Sequence, residues 1–334
     1  MKPQSKEIAG SDPQGGLDVT SYLQRLNPLQ FHKKSQHGKA VLALLAVCFF
    51  WGTTWLASRE GVKHMPALQL AGIRQFLGGL CYVSFFLIKG YRLPKGKEWR
   101  PILILSFLNF LLSNGLSTWG VKYISAGLGS IIGAIFPLWL VLIAAMGSRS
   151  KLRINTLAGL LLGFAGICII FFDHLEDFLD PKFRFGIFIS VASTWSWALG
   201  TLYTKKQAAH FNPYFSIGLQ MVISGLVLFS GSHALGYAIP LAAIPAASWI
   251  AITYLVLAGS VIAFMAYLYA LQHLPTEQVS LYAYVNPVVA VLLGWVWLDE
   301  KLTGYIIGGM LITLVGVYLV NKSVVKLLPV RKES

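Results

Sequence analysis

Long apolar runs alternate with short polar connections along the whole chain. Ten runs stand out, over 40–58, 67–88, 101–120, 124–146, 154–172, 184–203, 214–234, 247–272, 277–298 and 303–321. A bilayer core of about 30 Å is spanned by about 20 apolar residues in a helix, so each run predicts one transmembrane helix. Residues 235–246 are also apolar but carry Pro240 and Pro245, and read as a loop at the interface. Residues 1–38 are polar and lack the apolar core of a cleavable signal peptide. Within them Val19, Tyr22, Leu23 and Leu26 follow a helical spacing after Asp18, and Pro28 is expected to stop it. That segment reads either as a short helix on the membrane surface or as a solvated tail.

Composition agrees with this pattern. Of 334 residues 56% are hydrophobic and 12% charged, where a soluble domain carries about 25% charge. The expected fold class is an all-α polytopic membrane protein with ten transmembrane helices. A soluble enzyme and a disordered chain are excluded. The net charge of +14 does not point to nucleic acid, because the basic residues are dispersed between the apolar runs. Counted by alternate loops, 20 Lys and Arg fall on the side of the N-terminus and 6 on the other, with Arg74 left inside a span. That asymmetry predicts both termini in the cytoplasm of a bacterial inner membrane. The tails would be 1–38 and 322–334. Cys48, Cys81 and Cys168 all fall in apolar runs and read as buried free thiols.

The chain also repeats itself. Residues 123–170 shifted by 150 fall on 273–320 with nine identities and no gap. Ser130 meets Ser280, Pro137 meets Pro287, and Gly159 and Gly166 meet Gly309 and Gly316. Earlier, a shift of 146 puts Trp51 on Trp197, Arg74 on Gln220, and Gly79–Leu80 on Gly225–Leu226. The repeats are 39–172 and 184–321. Five is odd, so the second copy enters the membrane from the opposite side. Inverted-topology repeats are typical of secondary transporters, with the substrate held near the midplane between the halves.

Several residues are candidates for that site. Arg74 sits midway along an apolar run, where a charge costs at least about 2.5–3.5 kcal/mol and must face protein or water. It either binds an anionic substrate group or caps carbonyls of a broken helix; Gln220 is its repeat partner. Glu277, Ser280, Tyr284 and Pro287 share one helical face, matched by Gly127, Ser130, Ala134 and Pro137. The two central prolines each free a carbonyl, which is tolerated at a wet cavity. Trp51, Trp55, Trp195, Trp197, Tyr267, Tyr269 and Tyr284 lie inside spans, suiting either core packing or stacking walls for an organic solute. Ser113, Asn114 and Ser117 give the third run a polar patch. Gly129-x-x-x-Gly133, Gly159-x-x-x-Gly163 and Gly304-x-x-x-Gly308 permit close helix contact, within the chain or in a weak homodimer. Glu277, four residues after His273, is the acidic group nearest a span interior and the candidate for proton coupling. There is no H-E-x-x-H, phosphate loop or Cys/His metal spacing, so no cofactor, metal or catalytic residue is implied.

The stretch Leu271-Gln-His-Leu-Pro-Thr-Glu-Gln-Val-Ser280, continuing through Asn286-Pro287 to Leu298-Asp-Glu-Lys-Leu302 and Gly308, Gly309 and Gly316, resembles the drug/metabolite transporter superfamily, specifically its ten-helix EamA-type permeases. Trp51-Gly52, Arg74 and Gln220 match family positions as well, so the resemblance covers about 40–322. One departure is Ser150, where the family often has Glu; the acidic turn survives only in the second copy. The resemblance implies efflux or exchange of small metabolites such as amino acids or drug-like amphiphiles. An exchanger of anionic metabolites with Arg74 as its clamp is the alternative, and an intramembrane enzyme a third. The partners implied are a small-molecule substrate and the lipid bilayer.

Overall fold

The computed structural model describes residues 28–136, 138–139, 142–143, 154–172, 174–207, 212–274, 279 and 282–325. The chain divides into Met1–Lys39 and Ala40–Ser334, and the helix bundle is the second unit. Among the described residues ten main helices follow one another: α1 (Pro28–Gly61), α2 (Ala67–Ile88), α3 (Gly96–Gly120), α4 (Ala126–Ala134), α5 (Ile154–Phe172), α6 (Pro181–Gln207), α7 (Pro213–Ala234), α8 (Ala246–His273), α9 (Tyr282–Leu298) and α10 (Gly304–Val325). No strand occurs among the described residues. Six of these helices are long and apolar enough to cross a membrane; α5, α9 and α10 contain shorter apolar stretches. Pro137, Glu277 and Ser280 lie outside the described residues.

Pro28 begins α1, and the helical spacing expected over 19–26 lies outside the described residues. At the first helical position proline gives up only an N–H that has no partner there. Residues 235–246 form no span. Gly236 takes φ +71° just past α7, and the loop is then tied to α2 by Gln69, whose amide donates to the Ile239 carbonyl at 2.7 Å and accepts from its N–H at 3.0 Å. Large apolar side chains such as Leu42, Phe188 and Ile250 are exposed on the bundle, as a lipid-facing surface requires. Cys81 and Cys168 belong to that outer surface and only Cys48 is buried. The expectation of three buried thiols therefore fails, because an apolar residue in a membrane helix can face lipid as well as protein.

The repeat is visible in how the helices pair. α2 packs along α7, α5 along α10 and α4 against α9, each helix on its own repeat partner. α3 packs against α6, with Ser196 Oγ donating to the Leu108 carbonyl at 2.7 Å. Exchanging the halves turns that pair into α8 with α1, where Trp51 Nε1 donates to the Gly259 carbonyl at 3.3 Å and Thr53 bonds Tyr254. Both α3 and α8 widen into a π-helical stretch at equivalent places, Ser106–Asn114 and Leu255–Ile262. Such a stretch leaves carbonyls misaligned with their own helix. Side chains take them up: Gln75 donates to the Phe110 carbonyl at 3.1 Å, and Tyr82 to that of Val261 at 2.7 Å.

Glycines set the closest approaches. A Cβ on Gly72 would stand 2.6 Å from the Phe229 nitrogen, and one on Gly79 2.6 Å from the Val222 nitrogen. Gly166, Gly309 and Gly316 bring α5 and α10 equally close, backbone on backbone. Gly304 and Gly308 have open space beside them, so that glycine pair is not a contact motif within the bundle. Gly129 and Gly133 instead make room for the Trp55 indole, which a Cβ on Gly133 would meet at 2.9 Å.

Candidate functional site

A cavity of about 160 Å³ lies between the halves. α1 supplies Trp51, Thr54, Trp55 and Ser58, one face of a helix at i, i+3, i+4 and i+7. α3 adds Asn114, Ser117 and Thr118; α4 adds Ser130, Gly133 and Ala134, followed by Phe136. α6 gives Ser193, Thr194 and Trp197, and α9 gives Tyr282, Ala283 and Asn286. Arg74 from α2 and Phe264 from α8 also line it, while among the described residues α5, α7 and α10 contribute nothing to it. Four pairs of lining positions are repeat equivalents: Trp51 and Trp197, Asn114 and Phe264, Gly133 and Ala283, Phe136 and Asn286. The cavity thus straddles the pseudo-two-fold axis, and its chemistry is asymmetric because the paired residues differ.

One wall is aromatic. Trp51 meets Phe264 at 5.1 Å and Tyr282 at 5.0 Å between ring centroids, and Tyr282 stacks on Phe136. The other walls carry hydroxyls, many turned back on their own helices. Ser130 donates to the Gly127 carbonyl, Thr54 to Trp51 and Ser193 to Ser190. These bonds satisfy donors without closing the helix ends. With its amide turned so that the nitrogen faces them, Asn286 donates to the Cys48 and Tyr282 carbonyls, both at 3.0 Å, which ties α9 to α1.

Arg74 is the charged member. It is 6% exposed, and its Nε donates to Ser260 Oγ at 3.3 Å. No carboxylate pairs with it among the described residues. Ser260 belongs to the π-helical stretch of α8, so the widened turn presents a hydroxyl where the guanidinium needs an acceptor.

Of the residues singled out in the sequence, Trp51, Trp55, Arg74, Asn114, Ser117, Ser130, Gly133, Ala134 and Trp197 line the cavity. Tyr267 stands behind the wall, its ring 5.1 Å from Trp51 and 5.9 Å from Tyr282. Gln220 is not at the wall: its amide bonds Ser216 Oγ at 2.9 Å, and its carbonyl accepts from Ser106 and Ser224. Tyr284 faces the apolar cluster around Ile124, Leu128 and Val291, and Pro287 is buried inside α9 without lining the cavity. Trp195 packs on Trp139 away from it, and Tyr269 stacks on His273. Thr54, Ser58, Thr118, Thr194 and Asn286 also line the cavity and are not among the sequence candidates. The i, i+3, i+4, i+7 spacing of 51, 54, 55 and 58 is the signal that could have found the α1 stripe.

Beyond the cavity, toward the Gly61 end of α1, one carboxylate joins the two halves and one guanidinium braces the first half. Glu300, in the turn after α9, accepts from the Ala126 N–H at 2.6 Å and the Gly127 N–H at 3.1 Å, capping α4. Arg59 donates to the Val121 and Lys122 carbonyls at 2.6 and 2.7 Å. In the sequence Glu300 reads only as part of an acidic turn, because its partners lie in the other repeat.

Residues 38–172 and again 184–322 match the model of the EamA-like transporter family. The chain belongs to that family. It is 31% identical over 257 residues to the inner membrane transporter YedA of Escherichia coli (strain K12), covering 75% of this chain and 80% of YedA. It is 28% identical over 289 residues to the transporter YvbV of Bacillus subtilis (strain 168), covering 85% and 92%. A solved crystal structure superposes with a TM-score of 0.61 at 18% identity, over 85% of this chain and 97% of that one. Membership carries the ten-helix duplicated architecture and places the protein in the drug/metabolite transporter superfamily. The protein is a multi-pass secondary transporter of small organic solutes. Among the described residues no group of three or more His, Cys, Asp or Glu could hold a metal ion.

Proposed function

We propose that the protein exports small organic solutes across the cytoplasmic membrane of a bacterium, using the central cavity as its substrate site. The observation that carries this reading is the placement of the cavity on the repeat axis, with four repeat-equivalent pairs in its wall. Rocking of the 39–172 half against the 184–321 half would then expose the same residues to either side in turn. A substrate-panel efflux assay in an overexpressing strain tests the reading. Trp197→Ala removes an indole from the wall and is expected to cut efflux of the responding solutes at least tenfold at unchanged protein level. Full efflux by that variant, measured beside an equal membrane band, overturns it.

The topology follows the charge asymmetry, with both termini in the cytoplasm. A C-terminal fluorescent or enzymatic reporter that works only in the cytoplasm is expected to be active. Activity restricted to a reporter that works only outside would reverse the orientation.

A further inference from the structure

Arg74 is held in the cavity wall with its charge unmet among the described residues. Its Nε is used by Ser260, and a guanidinium carries five N–H donors that stay protonated at any physiological pH. Its second terminal nitrogen, Nη2, lies beside Gly259, where an added Cβ would stand 3.3 Å away and also press on Thr54. The glycine therefore lets the α8 backbone come close to both side chains without a Cβ crowding that nitrogen. A cation so far removed from water gains most from an anion that docks on the guanidinium fork. Around it the wall is aromatic, from Trp51, Trp55, Trp197 and Phe264, with hydroxyls between. The described lining contains no Asp or Glu to receive a substrate cation. The volume of about 160 Å³ is close to the roughly 150 Å³ of an apolar cavity that holds benzene.

We propose that the substrates are organic monocarboxylates with a body of about one ring, the carboxylate seated on Arg74 and the ring against the indoles. This rests on the cavity being the substrate site. Three isosteres separate the charge from the shape: benzoate, benzamide and benzylamine. In purified full-length protein, benzoate is expected to raise the unfolding temperature at concentrations at least tenfold below those benzamide needs, the size of a lost charge-assisted bond. Benzylamine is expected to be weaker than both. In proteoliposomes benzoate flux should saturate and benzamide flux should not over the same range. Arg74→Gln is expected to bring the benzoate and benzamide half-saturation values within threefold of each other. Arg74→Lys, which keeps the charge but loses the fork, is expected to fall between. Trp197→Ala should weaken benzoate and benzamide alike.

Equal binding of benzoate and benzamide by the wild type overturns the proposal, as does a gap that survives Arg74→Gln, or binding of none of the three. Should Arg74→Gln not be recovered folded, the wild-type gap and Arg74→Lys carry the test. Preference for benzamide or benzylamine, lost in Trp197→Ala, overturns the anion reading and leaves the cavity as the site. Binding of every probe unchanged by Trp197→Ala overturns the cavity reading itself.

Discussion

Gly225→Val is expected to leave little or no folded protein. Gly225 sits in α7 where that helix lies along α2, and a Cβ there would run into the backbone nitrogen of Phe76, with the Phe76 Cα at 2.8 Å and the Gly72 carbonyl oxygen at 2.9 Å. No rotamer change relieves a collision with backbone, so the two helices must separate. Overpacking inside a well-packed core costs about 1–3 kcal/mol where side chains can yield, and here they cannot. The loss also spreads, because Gly72, Gly79 and Gly218 share the same seam. Gly225→Ala is expected to lower the unfolding temperature clearly, and the valine variant to give no monodisperse peak on size exclusion in detergent. Gly231→Ala is the control in the same helix. Nothing lies within 4 Å of that position, and alanine gains about 0.5–1 kcal/mol over glycine in a helix, so its stability should hold or rise. Normal yield and melting of Gly225→Val would show that α2 and α7 do not approach as described.

The α2–α7 seam also shows what the sequence could disclose. Gly79 and Gly225 coincide under the repeat shift, and glycine at matched places in two helices is by itself a sign of close approach. The apolar cores of the spans are equally legible from hydropathy, whereas α1 begins at Pro28, twelve residues before the apolar run that opens at 40. Rotation about the helix axes is not. The stripe through Ser280, Tyr284 and Pro287 stands out for its polar atoms, whereas α9 turns Tyr282, Ala283 and Asn286 to the cavity. The Asn286 amide, turned to donate to Cys48 across on α1, belongs to that face, and a partner on another helix leaves no trace in local periodicity. Gln220 misleads in a related way. Repeat symmetry relates backbones, so the partner of Arg74 occupies an equivalent place in the fold, yet its amide nitrogen donates to Ser216 on its own helix. The π-helical stretches of α3 and α8 have no compositional signature either. Their widening is what gives Arg74 its acceptor at Ser260.

Glu300→Ala is expected to loosen the end of the cavity at which the α9–α10 turn meets α4. The carboxylate belongs to the second half and the Ala126 and Gly127 N–H groups to the first, so the two bonds tie the halves together at that end. They are charge-assisted and lie at a helix N-terminus, where the macrodipole favours an anion. Ser125 serves the same terminus from within, accepting from the Leu128 N–H at 3.0 Å, so α4 itself should survive the loss. A movement that opens the cavity toward this end must break both Glu300 bonds. Hydrogen bonds to a charged group are worth about 1.5–3 kcal/mol, so removing the carboxylate should raise the population open at this end by about tenfold or more. The reporter is Ser58→Cys, a cavity position on α1, in a background with Cys48, Cys81 and Cys168 changed to Ser. Its reaction with a membrane-impermeant maleimide from that face should speed up by that factor in Glu300→Ala. Glu300→Gln keeps one acceptor but points an amide N–H₂ at a backbone donor, so it should behave almost like Ala. Asp299→Gly changes the neighbouring exposed residue, whose φ of +53° glycine adopts freely, and should leave the rate unchanged. A Glu300→Ala protein that labels and melts like its parent would show that this carboxylate does not hold the halves together.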